Sequence, residues 1–142
     1  MIVPDINLLV YAYNSSAPEH PAARRWWEGL LSGTTAIGLP WVVALGYVRI
    51  MTHRRVVQDP LEPREAIAHL RSWLERPQVA PLHPGPRHVN LLDDLMTASA
   101  SSGAMTTDAH LAALAIEHQA ELHSNDTDFS RFAGLRWVNP IG

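Results

Sequence analysis

A pair of aspartates near the end of the chain is the first candidate for chemistry. Asp126 and Asp128 stand one residue apart in "ELHSNDTDF" (121–129), with no basic residue between them. Two ionised carboxylates repel each other, so a site that keeps both charged needs a cation, backbone N–H groups or water to offset them. By itself such a pair is typical of a solvated turn, because Asp and Asn side chains bond the local backbone. The pair indicates a metal site only if further acids join it.

Two further aspartates are candidates to join this pair. Asp5 follows the short apolar run "MIV", and Asp108 stands just inside a helical pattern that opens with "TT". Each has a structural alternative: Asp5 as a helix N-cap worth about 1 kcal/mol, and Asp108 as a first-turn acid favoured by the helix dipole. These separate roles do not explain the set of acids at strand-to-helix junctions in a chain without lysine.

A divalent cation does explain such a set. Mg²⁺ and Mn²⁺ prefer oxygen ligands and keep several waters, which suits aspartates at loop ends. Such an ion activates water and stabilises charge on a phosphate, so phosphodiester hydrolysis follows as the expected reaction. Asn7, two residues after Asp5, is a candidate to hold a carboxylate or a metal-bound water in place, or is an ordinary polar residue at a helix start.

Short β-type runs alternate with longer helical patterns along the chain, and these elements must position the acids. The predicted strands are 1–3, 35–40, 78–82, 120–124 and 135–139, and the predicted helices are 6–14, 18–33, 41–56, 63–76, 86–103 and 106–119. Strands separated by helices favour a parallel sheet covered on both faces. The sequence therefore predicts one α/β domain over 1–142, a three-layer α/β/α fold with a central parallel sheet of about four to five strands.

Helical spacing predicts which faces are buried and where two helices end. The predicted buried stripes are Val42, Leu45, Val48 and Met51 in the third helix, Ile67, Leu70 and Leu74 in the fourth, and Leu111, Leu114 and Ala115 in the sixth. Gly103 is predicted to close the fifth helix, and a threonine to cap the sixth.

The composition narrows the class of protein. The chain has 142 residues, of which 46% are hydrophobic, enough for one core, and its net charge of −3 supplies no general attraction to nucleic acid. All eleven basic residues are arginine, and cysteine is absent, which excludes disulfides and thiolate metal sites. The first residues lack a basic start and the apolar runs are too short to cross a bilayer, so we expect a soluble, cytoplasmic protein with no membrane partner.

In a parallel sheet, the loops that follow the carboxyl ends of the strands gather at one edge, where ligands bind. The predicted elements place Asp5, Asp108 and Asp126 at such junctions. We therefore expect these three carboxylates to converge in one cleft, with Asp128 at its rim.

Several segments together resemble a known family. "PDINLLVYA" at the start, "TTDAHLAALAIEHQAEL", "SNDTDFSRF" and "GLRWVNP" at the end are similar to PIN-domain ribonucleases of the VapC toxin type. The resemblance implies that Asp5, Asp108 and Asp126 bind metal and that Asp128 assists them. It also implies Mg²⁺- or Mn²⁺-dependent cleavage of RNA, a cognate VapB-type antitoxin, a homodimer and a structured RNA such as tRNA as the target.

One position departs from the family pattern. The pattern places a glutamate about seven residues into the helix after the second strand, where this chain has Gly46, and no acid occurs between Glu28 and Asp59. We therefore expect weaker binding of a single ion. Two alternatives stay open: a PIN domain that only binds RNA or an antitoxin, and a phosphatase resembling the haloacid dehalogenases, which the absence of lysine disfavours.

Basic and histidine residues supply further candidates. Arg49, His53, Arg54 and Arg55 in "RIMTHRR" form a local patch that could contact RNA phosphates, or is a solvated helix end. The spacing of His110, His118 and His123 does not match a zinc motif. Asp93 and Asp94 are more typical of a solvated helix face than of a site.

Overall fold

A computed structural model describes residues 1–100 and 102–142. Within these residues the chain forms five strands and six α-helices. The strands are β1 (Ile2–Pro4), β2 (Ile37–Pro40), β3 (Val79–Leu82), β4 (Glu121–His123) and β5 (Arg136–Val138). The helices are α1 (Ile6–Tyr13), α2 (His20–Ser32), α3 (Trp41–Met51), α4 (Pro63–Leu74), α5 (His88–Ala98) and α6 (Thr106–Glu117).

The strands form one parallel sheet in the order β3-β2-β1-β4-β5. From β1, the chain adds β2 and then β3 on one side of the sheet. It then adds β4 and β5 on the other side of β1. The crevice between β1 and β4 is therefore the point where the direction of winding reverses, and such a point is where α/β sheets bind ligands. The predicted α/β class with a central parallel sheet is confirmed.

Helices cover the sheet on both faces. Crossovers between parallel strands are almost always right-handed, which puts α1 to α4 on one face and α5 with α6 on the other. The packing of α1 on α2 and α3, of α3 on α4 and of α5 on α6 agrees with this arrangement. Trp27 and Trp73 are buried and meet edge to face with ring centroids 5.4 Å apart. Within the described residues, no helix combines the length and apolarity needed to cross a membrane.

The buried face of α3 differs from the predicted stripe. Leu45 is 60% exposed, whereas Val43, Ala44 and Tyr47 are buried. The helix is apolar on nearly all sides, so its periodicity does not identify the inner face. The buried residues of α3 include both small and large side chains, and Gly46 allows the helix to approach Ile6 closely. The predicted stripe was therefore wrong at Leu45, whereas Met51 is buried and Val42 and Val48 are partly buried against the core.

The buried face of α4 is also rotated from the prediction. Ile67 is 41% exposed, whereas Ala66, Leu70 and Trp73 are buried. Trp73 removes more apolar surface from water than Ile67 would, and its Nε1 donates a 2.9 Å hydrogen bond to Tyr13 Oη. Only Leu70 of the predicted stripe belongs to the core, and Leu74 packs at its edge.

Two predicted helix ends require correction. α5 ends at Ala98, and Gly103 instead begins a short 3₁₀ segment, Gly103–Met105. The predicted helix 86–103 also included Ser101, which lies outside the described residues. No threonine caps α6, because Thr106 Oγ1 instead donates to the carbonyl oxygen of Gly103 at 2.7 Å. The predicted stripe of α6, by contrast, is confirmed: its three residues are buried.

Candidate active site

The register of the two central strands brings Asp5 beside the end of β4. Pro4 pairs with His123, and the backbone N–H of Asp5 donates a 2.9 Å hydrogen bond to the carbonyl oxygen of His123. Both chains leave the sheet at the same edge, so Asp5 and Ser124 are neighbours although 119 positions separate them in sequence. Asp5 also caps α1, since its Oδ1 accepts the N–H of Ile6 at 2.7 Å.

Ser124 joins two of the predicted site residues. Its fully buried hydroxyl donates to Asp5 Oδ2 at 2.7 Å and accepts the backbone N–H of Asp126 at 3.0 Å. Asn7 approaches the same oxygen with its Nδ2 at 3.5 Å. The sequence interpretation missed Ser124. Its signal was weak, because a serine two residues before an aspartate is common in turns.

Asp126 and Asp128 belong to one tight turn. Asp126 caps the 3₁₀ turn Thr127–Arg131, and its Oδ1 accepts the backbone N–H of Asp128 at 2.9 Å. Phe129 and Phe132 are buried and anchor this turn to the core. Part of the simpler interpretation therefore holds, since Asp126 does bond its local backbone.

The pKa of Asp108 is shifted by its burial and by the charged groups around it. Its pKa is raised to about 6, first by partial burial and then by the negative charges of Asp5, Asp126 and Asp128. Arg131 opposes this effect, and its Nη2 lies 3.8 Å from Asp128 Oδ1. The pKa of Asp5 is also raised, mainly by burial, although its hydrogen bond from Ser124 lowers it. We call Asp5, Asp108, Asp126 and Asp128 the acidic edge.

The donor set suits a hard divalent cation in its chemistry. The acidic edge offers only carboxylate oxygens, which Mg²⁺ and Mn²⁺ prefer. Asn7 Oδ1 is a buried acceptor without a hydrogen-bond partner, so it is free to accept from a water bound to such an ion. Among the described residues, no three Asp, Glu or His side chains lie close enough together, in their present rotamers, to coordinate one metal ion. The metal-binding roles of Asp5, Asp108 and Asp126 stay predictions.

A groove adjoins the acidic edge. It has a volume of about 470 Å³ and is lined by Ile6, Val42, Leu45, Gly46, Arg49 and Thr107. Gly46 is buried within it, and a Cβ atom added there would come within 2.5 Å of Ile6 Cδ1. The side chain of Ile6 therefore takes the space beside the position where a glutamate is expected.

The predicted basic patch is divided by the end of α3. Arg49 lies in the last turn of α3 and lines the groove, whereas the helix ends at Met51 and leaves Arg54 and Arg55 exposed on the turn that follows. His53 Nδ1 accepts the backbone N–H of Arg55 at 3.1 Å, which shapes that turn. Arg49 shares this cavity with Ile6 and Thr107, which are chain neighbours of Asp5 and Asp108. Contact of any of the four with RNA stays a prediction.

The three histidines considered for zinc have different partners. His110 Nδ1 pairs with His88 Nε2 at 2.8 Å, and His118 Nε2 pairs with the carbonyl oxygen of His83 at 2.9 Å. His123 Nδ1 accepts from Trp26 Nε1 at 3.0 Å. These contacts assign each ring a separate packing role.

The fold and site define an α/β protein with acidic side chains at the switch point of a parallel sheet. The family model for the PIN domain matches residues 2–135. Ribonuclease VapC33 of Mycobacterium tuberculosis is 45% identical over 141 residues, covering 99% of each chain, and Ribonuclease VapC37 of the same species is 39% identical over 140 residues, covering 99% of this chain and 97% of the relative. The chain therefore belongs to the PIN-domain family, among its VapC-type members, and the phosphatase alternative is wrong.

Solved structures share this fold. VapBC2 from Rickettsia felis, bound to a DNA fragment from its promoter, matches with a TM-score of 0.71 at 18% identity, covering 98% of each chain. VapBC-1 from nontypeable Haemophilus influenzae matches with a TM-score of 0.68 at 15% identity, covering 99% of this chain and 98% of that one.

Proposed function

We propose that the chain is a Mg²⁺- or Mn²⁺-dependent endoribonuclease that acts as the toxin of a toxin–antitoxin pair. The observation that carries the proposal is the raised pKa of Asp108, which is due first to partial burial and then to the negative charges of Asp5, Asp126 and Asp128. Carboxylates that lie within such electrostatic reach of one another repel, and a divalent cation relieves that repulsion. The relatives named as ribonucleases, which align over almost the whole chain, support the choice of RNA as substrate.

In this proposal Asp5, Asp108 and Asp126 would hold the ion, and Asp128 would assist from the rim. The bound ion supplies an activated water and stabilises the charge that develops on the phosphate. Ser124 fixes the orientation of the Asp5 carboxylate through its 2.7 Å hydrogen bond and ties it to the backbone of Asp126. Asn7 Oδ1 would orient water in the site, since it is buried without another partner.

RNA cleavage by the purified chain tests the proposal. End-labelled structured RNA should be cut internally in Mg²⁺ or Mn²⁺ and stay intact in EDTA. Asp108→Asn should abolish cleavage, because it removes a carboxylate from the acidic edge. Asp94→Asn is the matched control, since Asp94 is an exposed acid on α5, and it should cleave like the unsubstituted chain.

Cleavage in EDTA, or equal cleavage by the Asp108→Asn variant, contradicts the proposal. RNA binding without cleavage in any of these ions would favour the alternative of a PIN domain that only binds RNA. Because both variants pass through the same purification, a contaminating nuclease would cleave equally in each and would be recognised.

The biological setting is part of the proposal. Structures named as VapBC complexes support a VapB-type antitoxin as the partner of this chain. We further propose a homodimer, a cytoplasmic location and a structured RNA such as tRNA as the target. Co-expression of the small gene beside the coding sequence, followed by co-purification and a cleavage assay, tests the antitoxin. A neighbouring product that neither binds the chain nor blocks cleavage would contradict it.

A further inference from the structure

The groove beside the acidic edge opens next to two of the proposed metal-binding residues. Ile6 directly follows Asp5, and Thr107 directly precedes Asp108, so two of its lining residues are chain neighbours of acids. A molecule held at the acidic edge would extend into this groove without leaving the surface.

The groove is lined by both apolar and polar residues. Ile6, Val42 and Leu45 form an apolar wall, and Leu45 is 60% exposed, although it is a large hydrophobic residue. Arg49 and Thr107 line the same groove and are the residues there with polar side chains. The volume of about 470 Å³ is in the range of small-molecule sites.

Gly46 keeps this space available. Its missing side chain leaves room for Ile6, because a Cβ at position 46 would lie 2.5 Å from Ile6 Cδ1. A larger residue at position 46 would push Ile6 away and place its own atoms in the groove. The position that departs from the family pattern is thus the one that gives the groove its shape.

We infer that this groove is a subsite for one unpaired nucleobase of the RNA, next to the cleaved phosphate. The inference rests on the proposed function. A nucleotide carries a flat base whose face can pack against the apolar wall and an anionic phosphate that Arg49 can bind, so it matches both kinds of side chain at once. Only an unpaired base can leave its neighbours to enter such a groove, so the subsite selects single-stranded or looped RNA.

Cut-site profiles test the inference. The chain and its Leu45→Ala and Arg49→Met variants cleave a pool of unstructured RNA of random sequence in Mn²⁺, and the cut ends are sequenced. The unsubstituted chain should prefer particular bases at a position adjacent to the cut. Leu45→Ala should lose that preference, whereas Arg49→Met, which removes a phosphate contact, should weaken cleavage of all sequences alike. In an Asp108→Asn background, each change should weaken binding of uncut RNA about tenfold, because Leu45→Ala removes apolar contact with the base and Arg49→Met removes a charged contact with the phosphate.

Two controls match these substitutions. Ile67→Ala removes an exposed apolar side chain from α4, and Arg71→Met removes an arginine from the last turn of α4, as Arg49→Met does from α3. Both should keep the profile and affinity of the parent. Leu45→Glu adds a carboxylate that repels phosphate, so it should bind RNA more weakly than Leu45→Ala, and thermal melting verifies that each variant is folded.

The outcomes separate this inference from the proposed function. If the unsubstituted chain cleaves RNA but shows no base preference beside the cut, the inference is overturned and the proposed function stands. The same holds if the Leu45 and Arg49 variants behave like the two controls, or if they change only the oligomeric state in size-exclusion chromatography. If the unsubstituted chain cleaves no RNA, both are overturned.

Discussion

Ser124 Oγ lies 2.7 Å from Asp5 Oδ2, fully buried, at the point where two neighbouring strands leave the sheet. The same oxygen accepts the backbone N–H of Asp126 at 3.0 Å. One hydroxyl therefore fixes the first aspartate of the chain relative to the turn that carries the last two. The arrangement of the acidic edge depends on a residue that is not itself an acid.

Replacing Ser124 by alanine should destabilise the chain. The substitution leaves the Asp5 carboxylate and the Asp126 N–H without a buried partner, which costs about 1–3 kcal/mol in the free energy of unfolding. It should also weaken Mn²⁺ binding, because Asp5 loses its fixed orientation. Chemical denaturation in EDTA and calorimetric titration of Mn²⁺ measure the two effects.

Ser72→Ala is the control for this prediction. Ser72 is exposed on α4, and its hydroxyl donates to the carbonyl oxygen of His69. The control should change stability by at most about 0.5 kcal/mol, as is usual for surface positions, and should leave Mn²⁺ affinity unchanged. Equal behaviour of the two variants would refute the role assigned to Ser124.

Asp108→Asn should stabilise the metal-free chain in a pH-dependent way. The folded-state pKa of Asp108 is raised from 3.8 to about 6, so ionised Asp108 disfavours the folded state. The contribution of protonated Asp108 to the free energy of unfolding is fully present below pH 3.8 and is lost as the pH rises through about 6. The variant should therefore melt at a higher temperature than its parent above pH 6 in EDTA, and the difference should vanish below 3.8.

Mn²⁺ should reverse the order of the melting temperatures of the unsubstituted chain and the Asp108→Asn variant. The ion stabilises the unsubstituted chain by mass action, and the variant, which lacks one carboxylate, should gain less. Asp94→Asn should follow the parent under both conditions, because Asp94 is exposed on α5. A melting temperature of Asp108→Asn below that of the parent in EDTA above pH 6 would show that Asp108 is not crowded by other anions.

Arg131→Gln should raise the pKa of Asp108 above its value of about 6. Arg131 lowers that pKa through its positive charge, and the substitution removes the charge while keeping a polar side chain. Carboxyl-carbon NMR titration of the metal-free chain measures the shift, which should shrink as salt screens the half-exposed guanidinium. Arg25→Gln, at an exposed position of α2, should leave the titration unchanged. An unaltered Asp108 titration in Arg131→Gln would contradict the electrostatic assignment.

Gly46→Glu should destabilise the chain. A glutamate gains about 0.5–1 kcal/mol of helix propensity over glycine, but overpacking against Ile6 costs about 1–3 kcal/mol, so the steric term prevails. The loss should be smaller in an Ile6→Ala background, where the contact is absent. A double-mutant cycle by chemical denaturation measures this coupling.

Gly29→Glu is the control for the same substitution type. Gly29 lies within α2 with nothing within 4 Å of an added Cβ, so its replacement should be neutral or stabilising. Mn²⁺ titration of the Ile6→Ala, Gly46→Glu double variant then tests whether a carboxylate at position 46 tightens ion binding. Additive effects of the two substitutions on stability would show that Ile6 and Gly46 are not in contact.

Local patterns determined the order and type of the elements. The alternation of short apolar runs with helical periods predicted the parallel α/β sheet. The stripe predicted for α6 was confirmed because all residues of 111–115 are buried, so any apolar stripe drawn there lies in the core. α3 is also apolar on most sides, but Trp41 and Leu45 on it are exposed. Its periodicity could not say whether Leu45 or Tyr47 faces the core.

The sequence by itself determined that Asp5 and Asp126 follow the ends of strands, because a strand's end is a local signal. The prediction that Asp108 also stands at a strand-to-helix junction was wrong, since the 3₁₀ segment Gly103–Met105 precedes α6. The sequence could not determine that Ser124 bonds Asp5, that Ile6 fills the space beside Gly46, or that Arg49 separates from Arg54 and Arg55. Those relationships depend on strand register, helix rotation and the residue at which α3 ends. Such features are set by packing between segments distant in sequence, so only the tertiary structure decided them.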